Sequence, residues 1–387
     1  MKFYVFFLFE YIFYLYKNIY VILTQFLLKN KKFKYRDILL PCMAHPTGRI
    51  AETTRLADIK IDLKDKKILS MLSENSRMPL NAMAKRVRLS RDAVDYRIKR
   101  LVRENVIISF FPIINLEKMG YETFHIFFLV DEMDRKKQEE LLVFLKSHPN
   151  VKNIIEYSDR WDYEIVVVAK TLREFDDIVS QITSRFPQLI FEKEKMQVIK
   201  GYTSIHLPLR FYEQSGHKIE HEDDIWKDIK LDGIDMNILK ILCENCRIPS
   251  VKIAEKVDLT ADAVNYRIKK MLDGNVIRRF TILVNLSALN YHWYTFSLAM
   301  KTFTDEHDGR FKQFVRTHPY ILRAVKTLGV WDFLLYVVAD SPRHFHSTVK
   351  EIKQHFSDII RNHQTLLAYM EHLYVPLPGA VKLEKKE

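Results

Sequence analysis

Two short stretches of the chain carry residue types suited to gripping a polyanion. The first runs Ser90-Arg91-Asp92-Ala93-Val94-Asp95-Tyr96-Arg97-Ile98-Lys99-Arg100, the second Thr260-Ala261-Asp262-Ala263-Val264-Asn265-Tyr266-Arg267-Ile268-Lys269-Lys270. Lys and Arg displace counterions from phosphates, and Arg or Asn can hold a base edge with two hydrogen bonds. Val94, Ile98 and Leu101 sit at i, i+4 and i+7, as do Val264, Ile268 and Met271. Each set marks the inward stripe of a helix, which turns the basic side chains outward. Arg91, Asp95, Arg97, Asn265 and Arg267 are the expected base readers. Lys99, Arg100, Lys269 and Lys270 are the expected phosphate ligands. Ser90 and Thr260 stand where a helix N-cap belongs and complete the expected duplex-contacting set.

The elements that must aim these helices precede them. Ile68, Leu69 and Leu72 space as one helical face, and Leu80, Met83, Ala84 and Val87 as a second. Arg88-Leu89-Ser90 then makes a tight turn. A short helix, a turn of about three residues and a capped basic helix form a helix-turn-helix, whose second helix enters the major groove of double-stranded DNA. The run Asn105–Asn115 is expected to fold as a β-hairpin wing. From residue 120 the period changes. Strands are expected at 124–130, 153–157, 163–169 and 191–202, with helices at about 135–147 and 171–185. That βαββαβ order predicts a ferredoxin-like sandwich.

The pattern occurs twice. Asp65–Leu69 matches Asp235–Leu239, Asp92–Lys99 matches Asp262–Lys269, and Trp161-Asp162 matches Trp331-Asp332, always 170 residues apart. The fold class is therefore α+β: two copies of a winged helix-turn-helix followed by a ferredoxin-like domain. The expected domains are 62–118 and 120–208, a polar linker at 209–230, then 232–287 and 290–377.

Composition agrees. The chain has 387 residues and a formal net charge of +12, with 48% hydrophobic and 28% charged residues, which excludes a wholly disordered chain. Three cysteines cannot build a disulfide framework and suit a reducing compartment. Between 85 and 103, eight Lys/Arg stand against Asp92 and Asp95. Residues 1–42 are a separate hydrophobic segment. The run 3–28, followed by Lys29, Lys31, Lys32, Lys34 and Arg36, reads in three ways: upstream sequence translated from a wrong start, with Met43 the true one; a membrane anchor with its C-terminal side cytoplasmic; or a hydrophobic docking segment. The expected location is the cytoplasm, or the inner face of the membrane if the anchor is real.

The run Asp-x-x-Ile-Leu, Arg-x-Pro, Leu-Ser and Val-x-Tyr-Arg-Ile-Lys-Arg-Leu, followed by a βαββαβ half, resembles the Lrp/AsnC family of bacterial and archaeal transcription regulators. The resemblance covers both units. It implies a DNA-binding regulator, not an enzyme, whose sensing sheets pair into dimers. It also implies that a small effector, often an amino acid, binds between sensing domains near a Gly-x-x-Asp turn. Copy two keeps Gly329 and Asp332, whereas copy one has Asp159 before Asp162, adding bulk and charge at that turn. Duplication suggests that the two sensing halves pair within one chain as a pseudo-dimer, with further homo-oligomerisation.

Siroheme decarboxylases share the fold and offer the rival, enzymatic reading. The stretches corresponding to their His-x-Tyr-x-Arg cluster, here 153–160 and 323–328, lack the His. No cofactor is expected. The lone Cys243-x-x-Cys246 has no second pair for a metal, His344 and His346 diverge on a helix, and Trp161 and Trp331 read as packing anchors.

Overall fold

The computed structural model describes residues 48–50, 59–131, 133–215 and 229–383. The hydrophobic segment 1–42 and most of the expected linker lie outside them. Among the described residues no helix is long and apolar enough to cross a membrane.

Each copy begins with three helices: α1 (Leu63–Glu74), α2 (Leu80–Val87) and α3 (Arg91–Arg103). Copy two repeats them as α7 (Gly233–Glu244), α8 (Ser250–Val257) and α9 (Ala261–Asp273). Asp62 and Asp65 close a capping box at the start of α1, and Asp232 and Asp235 do the same for α7. The expected caps are present: Ser90 accepts from the Ala93 amide and Thr260 from the Ala263 amide, each at 3.2 Å. Ile68, Leu69, Met83, Val87, Val94, Ile98 and Leu101 are buried together, which fixes α3 across α1 and α2.

The stretch expected to form a wing does something else. β1 (Ile107–Ile114) is one uninterrupted strand, and its partner is β6 (Ile277–Val284) of the other copy, antiparallel from Ile107↔Val284 to Ile114↔Ile277. Phe110-Phe111-Pro112-Ile113-Ile114 contains no turn pair able to reverse the chain, so the strand must find its edge elsewhere. The ribbon is latched to both helical modules. The Ser76 amide donates to Phe280 and the Cys246 amide to Phe110, each at 3.0 Å. Arg77 reaches the Cys246 carbonyl at 2.5 Å and Arg247 reaches the Ser76 carbonyl in return. Cys246 is buried against the Ser76 hydroxyl at 3.0 Å, so half of the Cys-x-x-Cys pair is an inter-module packing residue.

The sensing halves follow as β2 (Glu122–Val130), α4 (Arg135–Ser147), β3 (Val151–Tyr157), β4 (Tyr163–Ala169), α5 (Leu172–Arg185) and β5 (Ile190–Ser204). After α6 (Leu209–Ser215), copy two supplies β7 (His292–Met300), α10 (Asp305–Thr317), β8 (Ile321–Leu328), β9 (Phe333–Ala339), α11 (Pro342–His355) and β10 (Ile360–Tyr374). Each half has the expected ferredoxin-like strand arrangement. The two sheets close into one barrel, β10-β3-β4-β2-β5-β8-β9-β7, joined by the unlike pairs β5–β8 and β10–β3. Closure leaves no free sheet edge. Helices α4 and α5 cover one half and α10 and α11 the other, each over its own apolar cluster. Trp161 and Trp331 are buried, as packing anchors should be.

The linker is not irregular from its start. Its first residues form α6, whose Phe211 and Tyr212 are buried and whose Tyr212 hydroxyl meets Ser73 of α1 at 2.5 Å. The Leu-x-Phe-Tyr spacing explains this: it offers apolar bulk that a solvated linker would not carry.

Candidate nucleic-acid interface

Helices α3 and α9 are held at their bases by the same clamp. The Arg97 guanidinium bonds Asp62 at 2.8 Å and Asp65 at 2.7 Å. Arg267 bonds Asp232 and Asp235 at the same two distances. Asp65 and Asp235 are fully buried, and Arg100 adds a 2.5 Å bond to Asp65. Lys270 reaches the Lys230 carbonyl at 2.6 Å and Asp235 at 3.4 Å. Burial would raise the Asp62 pKa, but the Asp65 amide and the Arg97 guanidinium outweigh it and hold the carboxyl below its ordinary value. Asp232 is held low in the same way, with the Asp235 amide and Arg267 against burial.

The sequence-expected set therefore divides. Arg97, Arg267, Arg100 and Lys270 are committed to carboxylates or a carbonyl, because the capping-box residues at the start of α1 and α7, with Asp65 and Asp235 fully buried, offer a stronger partner than solvent. Arg91 and Lys99 remain outward, with side chains 62% and 73% exposed; Arg91 contacts its neighbour Asp92, and Lys99 pairs with Asp95 at 2.6 Å. Asn265 is exposed and accepts from the Ser250 hydroxyl at 2.6 Å; Lys269 is exposed. Ser90 and Thr260 serve as caps. Sequence reasoning passed over Tyr96 and Tyr266, which are 62% and 71% exposed at matching positions of the two helices. Their signal was available, since each stands one residue before the clamped Arg and off the apolar stripe.

The expected effector turns sit at the barrel seams. Asp162 accepts from the Val130 amide at 2.6 Å and Asp332 from the Met300 amide at 2.7 Å, so both lock a strand end. Gly329 has φ +155°, and a Cβ there would stand 2.7 Å from the Lys195 carbonyl, so this turn needs glycine for close approach to β5. In copy one Asp159 instead sends its carboxylate across the seam to the Leu367 amide at 2.6 Å.

Inside the barrel lies a polar group that the sequence pattern did not reveal. Glu164 is fully buried, bonded to His125 at 2.6 Å, to Tyr336 of the other half at 2.5 Å and to Tyr157. The Tyr157 hydroxyl also meets Thr295 at 2.6 Å. Burial raises the Glu164 pKa, and the bonds from His125 and the two tyrosines more than reverse it, so the group is held as a carboxylate.

A family profile described as winged helix-turn-helix DNA-binding matches residues 61–108 and 231–278, one in each copy. The leucine-responsive regulatory protein of Rhizobium meliloti (strain 1021) is 34% identical over 124 residues, covering 32% of this chain and 80% of that protein. The chain belongs to the Lrp/AsnC family. The HTH-type transcriptional regulator LrpB of Bacillus subtilis (strain 168) is 29% identical over 144 residues, 33% of this chain and 95% of that protein. Relatives of this kind thus match about one third of the chain while 80% and 95% of their own length is covered. Among solved structures, the siroheme decarboxylase NirDL aligns over 82% of this chain and 94% of that one, with a TM-score of 0.56 and 14% identity. That likeness is one of fold. The chain is a DNA-binding transcription regulator of the Lrp/AsnC type that carries two family units in tandem.

Proposed function

We propose that one chain reads a bipartite, imperfectly palindromic DNA site, with α3 and α9 in two successive major-groove faces. The observation that carries this is the β1–β6 ribbon with its reciprocal Arg77 and Arg247 latches, which ties two helix-turn-helix modules into one rigid pair. Arg91 and Asn265, joined by Tyr96 and Tyr266, address base edges. Lys99 and Lys269 address phosphates. Arg97, Arg100, Arg267 and Lys270 position the helices, and Ser90 and Thr260 cap them. Selection of bound fragments from a random library, with the full chain as bait, should return two half-sites at a fixed separation of about one helical turn or a multiple. A single half-site with no preferred neighbour would overturn the reading.

The activity is non-enzymatic and set in the cytoplasm. The His125–Glu164 group is fully buried and bonded to Tyr157 and Tyr336, which supports a structural role in joining the two halves. A small effector such as an amino acid acts at the copy-two turn. Support comes from Leu328 and Val330, which flank Gly329 and are 66% and 54% exposed, an apolar rim where copy one has Ser158 and Arg160. The same rim is the place for further chain-to-chain association. In copy one the bond from Asp159 to Leu367 already occupies the corresponding seam.

A further inference from the structure

At the end of the barrel facing the β1–β6 ribbon, several basic side chains converge. Lys152 on β3 feels Arg323 on β8, Arg278 on β6 and Arg49 on the segment before α1, and Glu117 acts on it in the opposite sense. Arg49 is matched by Glu371, which it meets at 2.5 Å. Among the described residues no carboxylate lies within ion-pair distance of Lys152 or Arg323; Arg323 lies against the Tyr336 ring at 5.4 Å. Both side chains are half-buried, so they are reachable from solvent while poorly screened by it. Burial, and then the neighbouring guanidinium groups, push the Lys152 ammonium down to about 7.

Buried hydrogen-bonding capacity gathers in the same place. Both ring nitrogens of His206, the Asn153 side-chain oxygen and the Thr203 hydroxyl are buried with no hydrogen-bond partner. His206 packs on Phe111 of the ribbon at 5.5 Å and feels Arg49 and Arg323. Asn153 is the neighbour of Lys152, and Ser204, next to Thr203, is paired in register with Arg323. Folded proteins satisfy the great majority of such groups, so the donors of His206 and Thr203 beside Lys152 and Arg323 point to a missing anionic partner, while the Asn153 oxygen, an acceptor, takes no part in holding one.

We propose that this junction binds a small oxyanion, a carboxylate or phosphate, which pairs with Lys152 and Arg323 and accepts hydrogen bonds from His206 and Thr203. The site is separate from the Gly329 turn and does not rest on the reading of that turn. It draws on both halves: the residues matching Lys152 and Arg323 in the opposite copy are Leu322 and Asn153, so an isolated unit could not form it. A bound anion would bridge the sensing barrel to the ribbon that joins the reading heads.

The test is thermal unfolding of the full chain at constant ionic strength and pH 6.5, titrated with sodium phosphate, with sodium citrate, or with sodium chloride as reference. The wild type should show a saturable rise of roughly 3 °C with phosphate or citrate at a hundredfold excess over Kd. Which of the two acts identifies the source of the oxyanion. Lys152→Leu and Arg323→Asn, the residues of the opposite copy, should abolish the rise. A rise of equal size in both variants places the anion on the DNA-contacting face instead, and no rise above chloride leaves the junction empty; either result overturns the proposal. An assay on the wild type alone guards against misfolded variants. Acetic anhydride labelling of Lys152, read by mass spectrometry, should fall several-fold in saturating anion while labelling of the exposed Lys350 on α11 is unchanged. Equal labelling of Lys152 with and without anion would also overturn it.

Discussion

In head one, Arg97 bridges two carboxylates at 2.8 and 2.7 Å; in head two, Arg267 does so at the same distances. The clamp, the caps and the ribbon latches recur. What differs is the solvent-facing surface. Residues 85–103 carry eight basic and two acidic side chains, whereas residues 255–273 carry Lys256, Arg267, Lys269 and Lys270 against Glu255, Asp258, Asp262 and Asp273. Lys85, Arg88 and Arg91 of head one become Glu255, Asp258 and Ala261. The barrel interior has diverged just as far: Glu164, His125 and Tyr157 of copy one stand opposite Leu334, Thr295 and Thr327 in the repeat. Geometry that sets helix position is the same in both copies, while charge and barrel lining have specialised. Head one presents the more basic surface, and the barrel is closed by pairing the two unlike halves with each other.

The largest expected effect lies in the barrel. Glu164→Leu installs the copy-two residue and leaves His125, Tyr157 and Tyr336 without their shared acceptor. It should cost about 3–5 kcal/mol of unfolding free energy, measured by urea denaturation. A change below about 1 kcal/mol would mean that the unlike halves are not matched through this carboxylate.

A smaller effect separates the clamps. Asp65→Asn removes the negative charge and one of the two buried acceptor oxygens that serve Arg97 and Arg100, and Asp235→Asn does the same to Arg267 and the more distant Lys270. Each should cost about 1–3 kcal/mol, with the Asp65 variant the worse, as read by amide exchange in α3 and α9. Equal losses would show that Arg100 adds nothing to the clamp of head one.

Much of this was legible in the residues. The 170-residue repeat, the capped basic helices and the βαββαβ order depend on local period and capping chemistry, which a chain carries in plain view. Three features depend on who meets whom across the molecule, and these were hidden. Phe110–Ile114 reads as strand, but nothing local says that its partner is Phe280 rather than a hairpin return. Arg97 falls on the polar side of its helix, and only the approach of α1 shows that Asp62 and Asp65 claim it. Glu164 and Tyr336 are 172 residues apart, and each alone looks like an ordinary strand position.

The inequality of the heads is tested most directly by exchanging their surfaces and following DNA affinity against salt. Lys85→Glu, Arg88→Asp and Arg91→Ala together should weaken binding and flatten the plot of log affinity against log salt by about one for each phosphate no longer neutralised. The reciprocal set, Glu255→Lys, Asp258→Arg and Ala261→Arg, should strengthen binding and steepen the slope. Slopes that stay at the wild-type value in both exchanged chains would contradict the account.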